Sequence, residues 1–265
     1  MATSEIFDCG PVLERYSLLE KEMGSRYGAT SQAVVFVHYE ELIAMRSLMA
    51  PRRDDALLAA RVELLQGKLQ RLYAMSAPGA EEPTPWRRLV RKSPPLIEYS
   101  RRHFESRYRG VSGQVLSETV RVDDGRTAYE RLRPRCSYMF VVDDRDGLLV
   151  WSRPFELQDL VLGRNKATVG QVPVAHPMMV PERLRVSAAG EIVLIGEARV
   201  EMVVANIKSG HFRPPPESAA VVRDICRRRF DIADSDIDVF TLFGSSGART
   251  SLDTGSDGKK IPDSL

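Results

Sequence analysis

Between residues 11 and 75 the apolar positions recur at spacings of three and four, the period of a helix that buries one face. Val12, Leu13, Tyr16, Leu19 and Met23 make the first stripe, which Gly24 can end. A second helix is expected from Ser31 to Met49, and its Val34-Val35-Phe36-Val37 start suits a strand equally well. The third stripe, Leu57, Leu58, Val62, Leu65, Leu69, Leu72 and Tyr73, follows Asp54 as cap and stops at Ser76-Ala77-Pro78-Gly79. Beyond an acidic connector at 80–85, Thr84-Pro85-Trp86 and Ser93-Pro94-Pro95 read as helix starts. The second of these opens a helix through Leu96, Ile97, Tyr99, Phe104 and Tyr108.

From Gly110 the texture changes to short β-branched runs separated by turn signals. Strands are expected at 111–116, 118–122 and 127–132, with Asp123-Asp124-Gly125 as a turn. The clearest hairpin joins Ser137 to Val142 and Leu148 to Trp151 across Asp143-Asp144-Arg145-Asp146-Gly147. Those aspartates form the turn and lack the closing glutamate of a calcium loop. Gly163-Arg164-Asn165-Lys166 looks like an exposed tip and has too few glycines for a phosphate-binding fingerprint. Strands around Leu184-Arg185-Val186 and Glu191 to Ile195 follow, with Ala188-Ala189-Gly190 turning between them. A last long strand at 198–207 leads into Lys208-Ser209-Gly210-His211-Phe212-Arg213, Pro214-Pro215-Pro216-Glu217 starts a helix, and Asp236 to Phe240 closes the sheet as an edge strand. The pattern is α+β: a helical region at 1–109, then a mostly antiparallel β domain at 110–243 with a C-terminal helix, then a Gly-, Ser- and Asp-rich disordered tail at 244–265.

Composition narrows the function classes. The chain of 265 residues has 38 basic and 36 acidic side chains, a formal net charge of +2, so no global field calls for nucleic acid or an anionic membrane. One local bias stands out: Arg87, Arg88, Arg91, Lys92, Arg101, Arg102, Arg107 and Arg109 lie close to Trp86, Tyr99 and Tyr108. Such a segment is either a phosphate- or RNA-binding patch or a solvated helix face, and the balanced total charge favours the solvated face. Nucleic acid is therefore not the expected partner. Cys9, Cys136 and Cys226 are odd in number and without CxxC spacing, which argues against a disulfide framework or a zinc site, so no metal and no cofactor is expected. No apolar run reaches membrane-spanning length, and the start lacks the order of a Sec signal. A cytoplasmic location is expected, with delivery by a specialised secretion machine as the alternative.

The loop after the last long strand carries the candidate chemistry. Gly210 permits a sharp or left-handed turn that aims His211 away from the strand, and Pro214 fixes the exit. Three consecutive prolines remove backbone donors, so an anion there must be held by side chains. Lys208, Ser209 and Arg213 are the candidate ligand-binding residues, and His211 with His176 the candidate acid–base pair should the two meet in the fold. The competing reading is a turn locked by His211, with Arg213 paired to Glu217 or Asp224.

Tyr138 to Val142, His176 to Met179, Ala188 to Gly190 and Ser209 to Pro214 occur in this order between residues 138 and 214. In this order they resemble the C-terminal region of the plant IQ-motif-containing calmodulin-binding family, and similar regions of fungal proteins and bacterial effector- or toxin-like proteins. Ser-Gly-His-Phe-Arg-Pro is the most specific segment of that resemblance. No IQ motif accompanies it, since Gln70 stands where arginine is needed after Leu65-Gln66, and His176-Pro177-Met178 lacks the family's paired serines. Calmodulin binding is therefore not carried over, and what the resemblance implies is regulatory interaction. The expectation is a regulatory or effector-like protein-interaction module with an anion-accepting loop. The alternative is an enzyme on a nucleotide, NAD or a phosphorylated substrate, with His211 as acid or base.

Overall fold

The structure, a computed structural model, describes residues 9–75, 85–90, 93–156 and 167–241. The expected tip at 163–166, the connector at 80–84, the stop at 76–79, Arg91, Lys92 and the tail at 244–265 lie outside the described residues. Three helices open the chain: α1 (Gly10–Tyr27), α2 (Gln32–Met49) and α3 (Ala56–Met75). The Ser31 hydroxyl caps α2 by accepting from the Val34 amide, and the strand-like Val-Val-Phe-Val run is helical because Val35, Tyr39 and Leu42 bury one face. Asp55, one residue past the expected cap, accepts from the Leu57 and Leu58 amides at the start of α3.

The expected helix from Ser93 to Tyr108 divides. Arg87–Val90 (β1) and Leu96–Tyr99 (β2) pair antiparallel, and only Arg101–Arg107 (α4) is helical, capped by Ser100. β2 is a strand because Ile97 and Tyr99 alternate into the core and pairing with a neighbouring strand outweighs local propensity. The expected strand at 111–116 is helix α5 (Arg109–Ser117), whose Ser112 and Val115 face inward at helical spacing. β3 (Thr119–Val122) follows as expected, whereas the run at 127–132 is the short helix α6 (Ala128–Arg131), started by Asp124 carboxylate bonds to the Arg126 and Thr127 amides.

β4 (Ser137–Asp143) and β5 (Leu148–Trp151) form the expected hairpin, its turn tied by Asp143 Oδ1 accepting from the Arg145 and Gly147 amides. β6 (Thr168–Val169) and β7 (Val172–Pro173) make a small separate hairpin, and a 3₁₀ turn spans His176–Met179. Ala188-Ala189-Gly190 is not a turn. It sits inside one continuous strand of 11 residues, β8 (Arg185–Ile195). β9 (Met202–Asn206), α7 (Ser218–Phe230) and β10 (Ile237–Phe240) complete the chain.

These strands, apart from the β6–β7 hairpin, form one eight-stranded sheet in the order β1-β2-β8-β4-β5-β3, with β9 also on β8 and β10 on the outer side of β9. Every pairing is antiparallel except β10 with β9. Alternate residues serve opposite faces. Tyr138, Phe140, Val142, Ile192 and Leu194 pack with Val222, Ile225 and Phe230 of α7. On the other face, Val193, Ile195, Met202 and Val204 meet α2 and α3. Met139, Val141 and Ala189 meet α4, α5 and the 3₁₀ turn there. The first helices therefore share a core with the sheet, and Arg46 of α2 clasps Asp238 of β10 at 2.7 and 3.1 Å with both side chains buried. No described helix is long and apolar enough to cross a membrane.

The sheet forks at β8. Along one edge β8 is paired by β4; along the other, β2 takes Arg185 and Val186 while β9 takes Glu191 to Ile195. Between them, 187–190 has no described strand on that side, and the Ser187 carbonyl accepts instead from the Ser218 hydroxyl at 2.7 Å. The candidate loop leaves β9 at this fork.

Candidate functional site

Glycine at 190 makes the fork possible. A Cβ there would lie 1.9 Å from the Asn206 carbonyl oxygen and 2.9 Å from Ile207 Cα, because the chain leaving β9 crosses directly over β8 at this point. Ile207 packs in the core under α7, and Phe212 is fully buried in the core on the other face, so the loop spans both sides of the sheet. Burying Phe212 contributes about 2–3 kcal/mol toward holding it there.

His176 is the inner anchor. Its Nε2 donates to the Gly190 carbonyl at 3.1 Å, which fixes the tautomer and leaves Nδ1 to accept from the Ser209 hydroxyl at 3.1 Å. Ser209 Oγ in turn accepts from the Phe212 amide at 3.2 Å, and the Ser209 carbonyl from the Arg213 amide at 2.7 Å. Both His176 and Ser209 are 5% exposed, and burial pushes the imidazole down to about 3, so it is neutral over the ordinary pH range. Both ring nitrogens and the hydroxyl are committed to holding the loop. Three segments distant in sequence, the 3₁₀ turn, Ala-Ala-Gly and Ser-Gly-His-Phe-Arg-Pro, thus meet in one hydrogen-bonded chain.

His211 faces elsewhere. Its Nε2 lies 2.9 Å from the Tyr108 hydroxyl, and its ring is tilted against Tyr99 at 6.2 Å between centroids. Burial lowers its pKa to about 4, and the neighbouring His103 and Arg107 push in the same direction. His103 stacks on Trp86 at 5.3 Å, and the Arg213 guanidinium sits 5.9 Å from the same indole. The left-handed residue of the loop is Arg213, with φ of 45°, rather than the expected Gly210. That conformation is uncommon for a β-carbon-bearing residue and directs the backbone into the proline run. Neither Arg213, Arg107 nor His103 is in an ion pair among the described residues; Asp224, one expected partner of Arg213, bonds Arg227 and Arg228.

Lys208 turns inward. Half-buried, it has its pKa lowered by burial, opposed by the charge of Glu191. Glu191 is 4% exposed, and burial pushes its carboxyl up to about 7 with Lys208 and Asn206 opposing. The Asn206 side-chain carbonyl accepts from the amides of Lys208 and Glu191 at 2.9 and 3.4 Å. Glu191 was not among the residues singled out in the sequence. A carboxylate in the apolar run Glu191-Ile192-Val193-Leu194-Ile195 was the available signal.

The five expected site residues therefore divide. Ser209 and His176 are brought together inside, Lys208 is directed at Glu191, and His211 and Arg213 reach a shared surface. The basic segment supplies the rest of that surface, Trp86, His103 and Arg107, over the largely buried rings of Tyr99 and Tyr108. No three His, Cys, Asp or Glu among the described residues are grouped to hold a metal ion. No family model, curated protein or solved structure matches this chain.

Proposed function

We propose that the protein is a regulatory or effector-like interaction module that receives an acidic or phosphorylated segment of a protein partner on the surface formed by Trp86, His103, Arg107, Tyr108, His211 and Arg213. The observation that carries this reading is the pair of guanidiniums there, Arg107 and Arg213, with no carboxylate bonded to them among the described residues. Arg213 over an indole face leaves its N–H fork available for an oxyanion, and guanidinium is well suited to planar carboxylate or phosphate recognition. The resemblance of the loop to the plant family's motif points the same way, toward interaction.

The test is titration of the intact protein with a phosphoserine peptide flanked by acidic residues, followed by calorimetry. Binding should weaken as salt rises, and Arg107→Ser with Arg213→Asn should reduce affinity by roughly 10- to 100-fold, the range of losing charged hydrogen bonds. Unchanged affinity in the folded double variant contradicts the reading. An enzymatic role on a nucleotide, NAD or a phosphorylated substrate is favoured by one observation, the neutral His211 imidazole beside the Tyr108 phenol. Turnover of such a compound, lost in His211→Ala, would place that reading first.

A further inference from the structure

A cleft that shares no lining residue with the loop lies between the first two helices and the start of β4. Its volume is about 500 Å³, within the range of small-molecule sites. The helical wall presents Tyr16, Glu40, Ile43 and Leu48; the sheet wall presents Arg135, Ser137, Phe155 and Val193. Most of this lining is apolar, so the polar groups that remain define what can enter.

Three of them are unusual. The Ser137 side chain is buried, the residue being 5% exposed, and its hydroxyl has no hydrogen-bond partner among the described residues. An unpaired buried hydroxyl costs about 1–3 kcal/mol, and with almost no accessible surface this one is closed to a molecule in the cleft, which leaves the two charged groups to select the ligand. Glu40 is pushed up by burial, with only the charge of Arg15 opposing, and it makes no ion pair among the described residues. Arg135, an exposed residue with φ of 63°, donates its backbone N–H to the Leu194 carbonyl at 2.8 Å, and its guanidinium is in no ion pair among the described residues. An acid and a base thus line opposite walls of one cleft without pairing with each other.

We propose that this cleft binds a small apolar zwitterion of the amino-acid or dipeptide type, with its ammonium on Glu40, its carboxylate on Arg135 and its side chain among Ile43, Leu48 and Phe155. A neutral apolar molecule pairs neither charged group, and a simple anion or cation satisfies only one wall. The zwitterion matches both charges and the apolar lining.

The experiment is calorimetric titration of the full chain with leucine and leucyl-leucine, set against N-acetyl-leucyl-leucine and leucyl-leucinamide, in which one charge is removed. The uncapped compounds are expected to bind, with either cap weakening binding about tenfold or more. Glu40→Gln and Arg135→Asn should each do the same; asparagine tolerates the left-handed backbone at 135. Ala44→Met, which fills the cleft without touching a charge, should abolish binding while the thermal midpoint is retained. Absence of binding by every uncapped compound overturns the proposal. Equal binding of capped and uncapped compounds overturns it too, reducing the cleft to an apolar crevice.

Discussion

Replacing Ser209 with alanine removes one oxygen and strips two buried groups of their partner at once. The hydroxyl donates to His176 Nδ1 at 3.1 Å and accepts from the Phe212 amide at 3.2 Å, both bonds being buried. Each group left unsatisfied costs about 1–3 kcal/mol, so Ser209→Ala should destabilise the fold by roughly 2–6 kcal/mol. For a chain of this size that lowers the thermal midpoint by about 6–12 °C, taking a central cost near ~3 kcal/mol. Urea denaturation should show a lower midpoint with an unchanged slope. A double-mutant cycle with His176→Leu isolates the shared bond: the paired variant should lose less than the sum of the two single losses. A midpoint within about 2 °C of the parent protein, together with additive losses in the cycle, would show that the His176–Ser209 chain does not hold the loop.

Gly190→Ala should be more damaging than a typical glycine-to-alanine change, about 4 kcal/mol or more, because the new methyl meets backbone of the crossing chain rather than a movable side chain; soluble yield and thermal midpoint measure it. Stability should fall as the pH drops below about 6.5, since His38, His176 and His211 are held to about 4, 3 and 4 in the fold, and the unfolded chain therefore binds more protons in that window. Glu191 acts in the opposite sense, costing stability as the pH rises from 4.5 toward 7, because the unfolded chain ionises first. A midpoint series from pH 4.5 to 8 should therefore decline on the acid side, and Glu191→Gln should be stabilising chiefly at neutral pH and above, with a flat series contradicting both assignments.

Hydrophobic period placed the first and third helices and the β4–β5 hairpin, where each segment satisfies its own backbone or pairs with its immediate neighbour; it left the start of α2 open between helix and strand, and α1 runs past Gly24 to Tyr27. The α+β class, with helices ahead of a largely antiparallel sheet and one helix after it, followed from that pattern. The pattern failed where the deciding contact was remote. β2 became a strand because Ile97 and Glu98 pair with Val186 and Arg185, nearly ninety residues later. Ala188-Ala189-Gly190 carries the composition of a turn, yet it is the middle of a long strand whose small residues admit a crossing chain.

The candidate site divides on the same line. Residue types alone marked His176, Lys208, Ser209, His211 and Arg213, since a histidine, a hydroxyl and two cations around a glycine is an uncommon combination in a strand exit. Local sequence could not say which way each would point. That was decided by the fork in the sheet, which carries the loop across from one core to the other. Burial of Phe212 seats Ser209 against His176, brings Lys208 within reach of the Glu191 charge and leaves His211 and Arg213 beside the rings of Trp86, Tyr99 and Tyr108. Chemistry was written in the residues; its partition between scaffold and surface required the sheet, because only packing fixes which side chains lose water and which keep it.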